Sequence, residues 1–207
     1  MDNNKVIDEQ LKEVKRSFRL MMNGMAAQSM RAKGLDYHVN WGVSLPSLRG
    51  KAKEIGKNYG LALALWKEDV RECKILATMT MPPDVILPDV VDIWMEQTHT
   101  LEIAEQAAFN LYQHLPYAAE KAYKWIASSR EIEQICGYHV LSRLFIKRQE
   151  PNERGINEFI DQALSAVMSN SVMLKKAALA SLMHFAELGI VYERLAKSAL
   201  ARIGYEL

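Results

Sequence analysis

Glu105 stands one helical turn after Leu101 and one turn before Phe109, inside the stretch HTLEIAEQAAFNLYQHL that spans residues 99–115. At about 100° per residue, Leu101, Glu105, Phe109 and Tyr112 fall on one narrow stripe of a helix. The main core stripe, Ala104, Ala108, Leu111 and Leu115, runs beside it. A carboxylate in an apolar and aromatic setting, at the edge of buried surface, is disposed to a raised pKa, and the rings beside it to a ligand. The chemistry open to such a group is electrostatic: a fixed negative charge steadies a positive centre that develops as a bond breaks. The structural alternative is a rim glutamate paired with a neighbouring helix. Glu102 falls in the first turn if Thr98 or Thr100 caps the helix, where a negative charge suits the helix dipole.

Other catalytic devices lack their parts. His38, His99, His114, His139 and His184 form no His-x-x-x-His pair. His99 and Glu102 are three apart, but no second ligand pair accompanies them, and a metal site needs three or four convergent ligands. No Gly-rich phosphate loop is present. Cys73 lies beside Glu72 and Cys136 between Ile135 and Gly137, both outside any Cys-x-x-Cys pair. Nothing marks either as an activated nucleophile, so both read as small buried apolar residues. The sequence therefore implies neither a metal nor a cofactor. Two separated cysteines suit a reducing compartment. The acidic, polar opening MDNNKVIDEQ is unlike a signal peptide. No apolar run approaches the ~20 residues needed to cross a bilayer. The expectation is a cytoplasmic chain with no membrane partner.

The elements that would position Glu105 are helices. Strand-like alternation is absent, and breakers recur at Gly34, Pro46, Gly56 to Gly60, Pro82-Pro83, Pro116, Pro151, Asn170 and Gly189. Between them lie segments of helical length. Ser44 and Pro46 mark a helix start. Ser128 with Glu131, and Asp69 with Glu72, have capping-box spacing. NYGLALALWKEDVRECKILATM reads as two helices with a break near Lys67. A second pair turns at Ser128-Ser129 and a third at Ser169–Ser171. Hairpins repeating at roughly 35 to 45 residues have the period of HEAT-like or armadillo-like arrays, in which each pair buries its apolar face against its neighbours. The expected fold is all-α: an α-solenoid of antiparallel helix pairs, about ten helices in a single domain over 1–207. The eleven methionines would fill gaps between stacked helices.

Charge is uneven along this frame. Residues 1–60 carry 11 Lys/Arg against 6 Asp/Glu, a balance of +5; residues 61–120 carry 3 against 10, or −7; residues 121–207 carry 12 against 9, or +3. A nucleic-acid binder needs a basic face, because affinity comes from neutralised phosphates. The two ends can supply one, whereas the middle resists it.

Residues 41–81, WGVSLPSLRGKAKEIGKNYGLALALWKEDVRECKILATMTM, resemble the DNA alkylation repair family, the HEAT-like alkylpurine DNA glycosylases. The residues that carry the likeness are Trp41, Gly42, Val43, Pro46, Arg49, Ala52 and Lys53, then Leu65-Trp66 and Arg71-Glu72. It continues more weakly through DIWMEQTHTLEIAEQAA, WIASSREIEQICGYHVLSRL and LKKAALASLMHFAELG. The resemblance implies a solenoid that holds duplex DNA on its concave face and excises alkylated, positively charged bases. It implies a carboxylate that stabilises the cationic sugar, tryptophans at the lesion and an arginine on phosphate. The family's Trp-x-x-x-Asp falls on Leu101 to Glu105, so the aromatic is missing and the acid is one methylene longer. Gln134, Ile135 and Cys136 stand where the arginine is expected, and Ala180 where a late tryptophan is. Trp41, Trp66, Trp94 and Trp125 read as packing anchors instead.

Two functions follow. One is an alkylpurine-glycosylase-like DNA repair protein with a degenerate active site, using Glu105 as the acid, Phe109 and Tyr112 as pocket, and Arg143, Lys147, Arg148, Lys175 and Lys176 on phosphate. The other is a non-catalytic helical-repeat scaffold that binds DNA weakly or binds another protein. The −7 middle segment favours the second, since it holds the helix that would be catalytic.

Overall fold

The computed structural model describes residues 3–35 and 37–205. They form twelve α-helices: α1 (Asn3–Leu20), α2 (Gly24–Ala32), α3 (Leu45–Ile55), α4 (Tyr59–Lys67), α5 (Arg71–Thr80), α6 (Pro88–Glu96), α7 (Leu101–Asn110), α8 (Ala118–Ile126), α9 (Glu131–Ile146), α10 (Glu153–Met168), α11 (Val172–Ala186) and α12 (Ile190–Ala201). A short 3-10 turn, Tyr112–His114, precedes α8. The only β feature among the described residues is an isolated bridge between Val39 and Val70. The all-α, HEAT-like architecture is as the breaker spacing leads one to expect, with two helices more than expected. No described helix is long and apolar enough to cross a membrane.

The helix boundaries follow from local chemistry. Asn23, Ser44, Asn58, Thr100, Asn152 and Ser171 each accept a backbone N–H at the start of a helix, satisfying donors that have no intrahelical partner. The two capping boxes do not form. Helix α9 starts at Glu131 without a side-chain cap, and the Ser128 hydroxyl accepts from Arg130 N instead. Helix α5 has Val70, not Asp69, at its cap position, and Glu72 accepts from the backbone of Trp41 and Val43 instead.

The helices cluster into two compact units, Met1–Leu111 and Tyr112–Leu207. In the first, α4 and α5 form a hairpin, α1 lies on α4, and α3 and α7 flank α5. Lys15 on α1 pairs with Glu68 at the end of α4, at 2.6 Å. Trp66 and Trp94 stack with centroids 4.2 Å apart and planes 4° from parallel; Trp41 packs on Phe18 at 5.7 Å. In the second, α8 pairs with α9 and α10 with α11, while α9 and α11 lie side by side. Phe145, Phe159 and Phe185 form a buried triangle with centroids 5.0 to 5.5 Å apart, in the tilted and edge-on arrangements that aromatic quadrupoles favour. Gly137 lets α9 approach α8: a Cβ there would come within 2.9 Å of Ala122 O and Ile126 N.

Candidate nucleic-acid interface

The polar centre of the first unit is a buried arginine. Arg71 is 1% exposed and opens α5. Its Nε and Nη2 donate to the two oxygens of Glu102 at 2.8 and 2.5 Å, the bidentate fork that guanidinium and carboxylate geometry match. Nη1 donates to Glu72 Oε1 and to Val43 O, at 3.1 and 3.0 Å. Glu72 in turn accepts the backbone N–H groups of Val43 and Trp41, at 3.1 and 3.2 Å. The Arg71 backbone N–H reaches Val39 O. Tyr37 donates its hydroxyl to Glu102 at 2.6 Å and accepts from Thr100 at 3.1 Å. The loop before α3 and the start of α7 are thereby both locked onto the start of α5.

Electrostatics follow the geometry. Burial acts to raise the pKa of Glu102, but the hydrogen bonds from Arg71 and Tyr37 outweigh it and hold the carboxyl below its usual range. Burial acts to lower that of Arg71, and the two glutamates reverse it. Burial, then the bond to Glu102, pushes the Tyr37 phenol up. Glu102 sits in the first turn of α7, capped by Thr100 as expected, and it has in addition a partner in Arg71 that its place in the helix did not suggest. Spacing within one helix cannot show a partner 31 residues away.

Helix α7, held this way, carries Glu105 and Phe109 on one side. Glu105 is half-buried, and burial, followed by the nearby charge of Glu102, raises its carboxyl pKa. Phe109 is 42% exposed, with the Arg49 guanidinium of α3 6.0 Å from its ring centroid. Asn110 donates to Thr78 on α5 at 3.1 Å, fixing the end of the helix. The stripe expected to run on to Tyr112 stops there. α7 ends at Asn110, and Tyr112 begins the 3-10 turn of the second unit, fully buried 5.0 Å from Trp125. Its ring is core, so Tyr112 does not share the exposed side of α7 with Phe109.

The expected phosphate contacts all lie in the second unit, at two separate places. Arg143, Lys147 and Arg148 are at the carboxyl end of α9, whereas Lys175 and Lys176 are in the first turn of α11. The two helices run parallel. Ser171, the cap of α11, donates to Glu131 in the first turn of α9, and Arg148 after α9 donates to Glu187 O after α11. At 1.5 Å per residue the groups are offset by roughly 10 to 20 Å along the helix axes, least for Arg143 and most for Arg148. Arg148 has φ +62°, the one positive φ among described non-glycine residues. Its N–H bonds to Phe145 O and that of Gln149 to Leu144 O, the pattern of a Schellman helix end normally closed by glycine. Lys147 donates to Gln113 O at 3.0 Å; burial, then Arg143, lowers its pKa. Arg143 and Lys175 are half-buried, and Lys176 is exposed.

A cleft of about 90 Å³ opens in the first unit beside Arg71, lined by His38, Asp69, Lys74 and His99 among others. No group of three His, Cys, Asp or Glu among the described residues could hold a metal ion. Cys73 and Cys136 are buried thiols; burial pushes Cys73 up to about 12 and Cys136 further, so neither is a nucleophile at neutral pH.

Stacked helix hairpins with polar side chains locking one pair to the next define the class as a HEAT-like repeat protein. The family model described as DNA alkylation repair enzyme matches residues 14–182, and the chain belongs to that family. A solved structure described as "a new family of proteins related to the HEAT-like repeat DNA glycosylases with affinity for branched DNA structures" is similar in fold. Its TM-score is 0.81 at 18% identity, covering 94% of this chain and 83% of that one. Among the curated proteins none matches.

Proposed function

We propose that this chain is a DNA-binding member of the DNA alkylation repair family with a degenerate base-excision site. It holds DNA through phosphate contacts and keeps, at Glu105, a carboxylate of the kind that steadies a cationic sugar. The observation that carries this reading is Glu105 itself: half-buried, its carboxyl pushed up, beside the exposed ring of Phe109 on a helix that Arg71 locks in place. That is the position on which the family's acid falls. Leu101, Gln134 and Ala180 stand where the family's other groups are expected, and they supply neither aromatic face nor charge. The fold neighbour's affinity for branched DNA supports DNA as the partner. One observation favours a scaffold without catalysis: Lys147 and Arg148 are tied to backbone carbonyls, leaving fewer cations for phosphate.

Fluorescence anisotropy with labelled duplex and branched DNA at two salt concentrations tests the binding. Affinity should fall steeply with salt, and replacing Arg143, Lys175 and Lys176 with alanine should weaken all sequences alike. Each lost phosphate contact should flatten the slope of log K against log salt by about 0.9. Unchanged affinity removes these three from the interface. Absence of binding even at low salt leaves the scaffold reading.

Release of alkylated purine should be weak in the wild type, given the missing groups. Glu105→Gln should lower whatever release there is by about 100-fold or more, the scale for removing one electrostatic stabiliser, while DNA affinity stays equal or rises. The cationic transition state loses its counter-charge, whereas phosphate loses only a repelling neighbour. A wild type with no release above background ends the catalytic part and leaves Glu105 as a rim carboxylate.

A further inference from the structure

Arg49 is not among the residues expected at the site, yet it sits over one of them. Helices α3 and α7 both pack on α5, which brings the exposed Arg49 guanidinium to 6.0 Å from the centroid of Phe109. The other large aromatic rings of this unit that stack, Trp66 and Trp94, are almost wholly buried. Phe109 differs: a hydrocarbon ring left 42% exposed, with a cation over it. The segment that carries α3 is basic along the chain: between residues 16 and 57 there are eight Lys/Arg against two Asp/Glu, and Arg49 and Lys53 on α3 are exposed.

We propose that Phe109 and Arg49 form a contact site for an unstacked nucleotide of DNA, with the base on the ring and its phosphate on the guanidinium. The proposal rests on the DNA-binding reading above. Aromatic faces joined to cations are how single-stranded nucleic acid is held, since every base has a π-face and every nucleotide a phosphate. Bases inside an intact duplex are stacked on one another and offer no free face, so the ligand is DNA with an unpaired stretch, as at a gap or a branch point. The two helices that carry the partners are held in place. The Arg71–Glu102 fork and the Asn110–Thr78 bond hold α7, and the Ser44 cap and buried Leu48 hold α3. Glu105 lies one turn before Phe109 and repels phosphate, so the phosphate belongs on the α3 side of the ring.

The test compares binding of an intact duplex with that of a duplex of equal length interrupted by a short single-stranded gap. The wild type should prefer the gap. Phe109→Leu should lose about 5- to 150-fold on gapped DNA, the effect of removing one stacking platform, and less on the intact duplex, so that the preference for the gap disappears. Phe109→Tyr keeps a ring and should keep the preference. Arg49→Gln should weaken both and flatten the salt slope by about 0.9. Thermal unfolding checks that the Phe109 variants stay folded, so that a lost preference for the gap reports the contact and not the fold. Equal wild-type binding to both DNAs, or an undiminished preference in Phe109→Leu, overturns this site while leaving DNA binding intact. No binding to any DNA at low salt overturns both.

Discussion

Arg71→Ala is expected to lower the unfolding free energy by about 3–5 kcal/mol, the cost of removing one partner from a buried ion pair. The side chain is 1% exposed and makes four hydrogen bonds, to Glu102, Glu72 and Val43. Without it, two carboxylates remain where their charge was compensated by the guanidinium, one of them wholly buried. Arg71→Lys should recover little, because an ammonium cannot present the planar fork that meets both oxygens of Glu102. The dependence on pH gives an independent check. Glu102 titrates below its usual range in the folded chain, so its stabilising share is present above the unfolded pKa and is lost as pH falls through the folded one. In Arg71→Ala the main cause of that depression is gone, and only the bond from Tyr37 still acts to lower it. Acidification then neutralises the stranded Glu102, and the gap between variant and wild type should narrow. Denaturant unfolding at neutral pH, and again below the usual carboxylate range, measures both effects. A loss under about 1 kcal/mol would put the pair in the class of surface salt bridges, and a gap that widens in acid would sink the account.

The same arginine shows what a sequence holds and what it does not. Helix hairpins were legible because they are local: Gly56, Pro82 and Asn170 lie at or just past helix ends, and Ser44 and Thr100 cap the helices their positions suggest. Arg71-Glu72 was legible as part of a family pattern, together with Trp41, Gly42 and Val43. The reason for the pattern was not. Glu72 accepts from the backbone of Trp41 and Val43, so in this chain the two stretches are two halves of one hydrogen-bonded lock. The signal that could have found it was a charged pair, Arg71-Glu72, opening a helix whose one other charge is Lys74: charged groups are almost never fully buried unless paired.

The candidate site was readable only as far as one helix extends. Glu105 and Phe109 share a face of α7 as their spacing requires. Tyr112 does not, because the helix ends at Asn110 and helical spacing carries no meaning past that residue. Lys147 and Lys175 were grouped by type. The chain places them at opposite ends of two parallel helices, a relation fixed by tertiary packing and invisible to charge counting. Arg49 was visible as a family residue, but its place over Phe109 depends on α3 and α7 sharing α5.

Gly42→Ala is expected to cost more than backbone strain alone, and a second glycine separates the two contributions. Gly42 has φ +71° and Gly34 φ +82°, a region in which an L-residue costs about 1–2 kcal/mol. The space around them differs. A Cβ at Gly34 meets nothing within 4 Å, whereas at Gly42 it would overlap the Asn23 carbonyl oxygen and lie 2.8 Å from Ala27 N. Both are backbone atoms of the α2 start, so no side chain can swing aside. The contact also matters for how α2 is held. That helix has no buried residue of its own, and Asn23 N donates to Trp41 O at 2.8 Å. An alanine methyl at Gly42 therefore levers α2 off the loop and breaks that bond. Gly34→Ala should cost about 1–2 kcal/mol with α2 still docked. Gly42→Ala should cost about 3 kcal/mol or more, adding a forced shift of packed backbone to the same strain, and should speed amide hydrogen exchange across residues 24–32 selectively. Equal losses in the two variants would mean that the close approach of α2 to the loop contributes nothing.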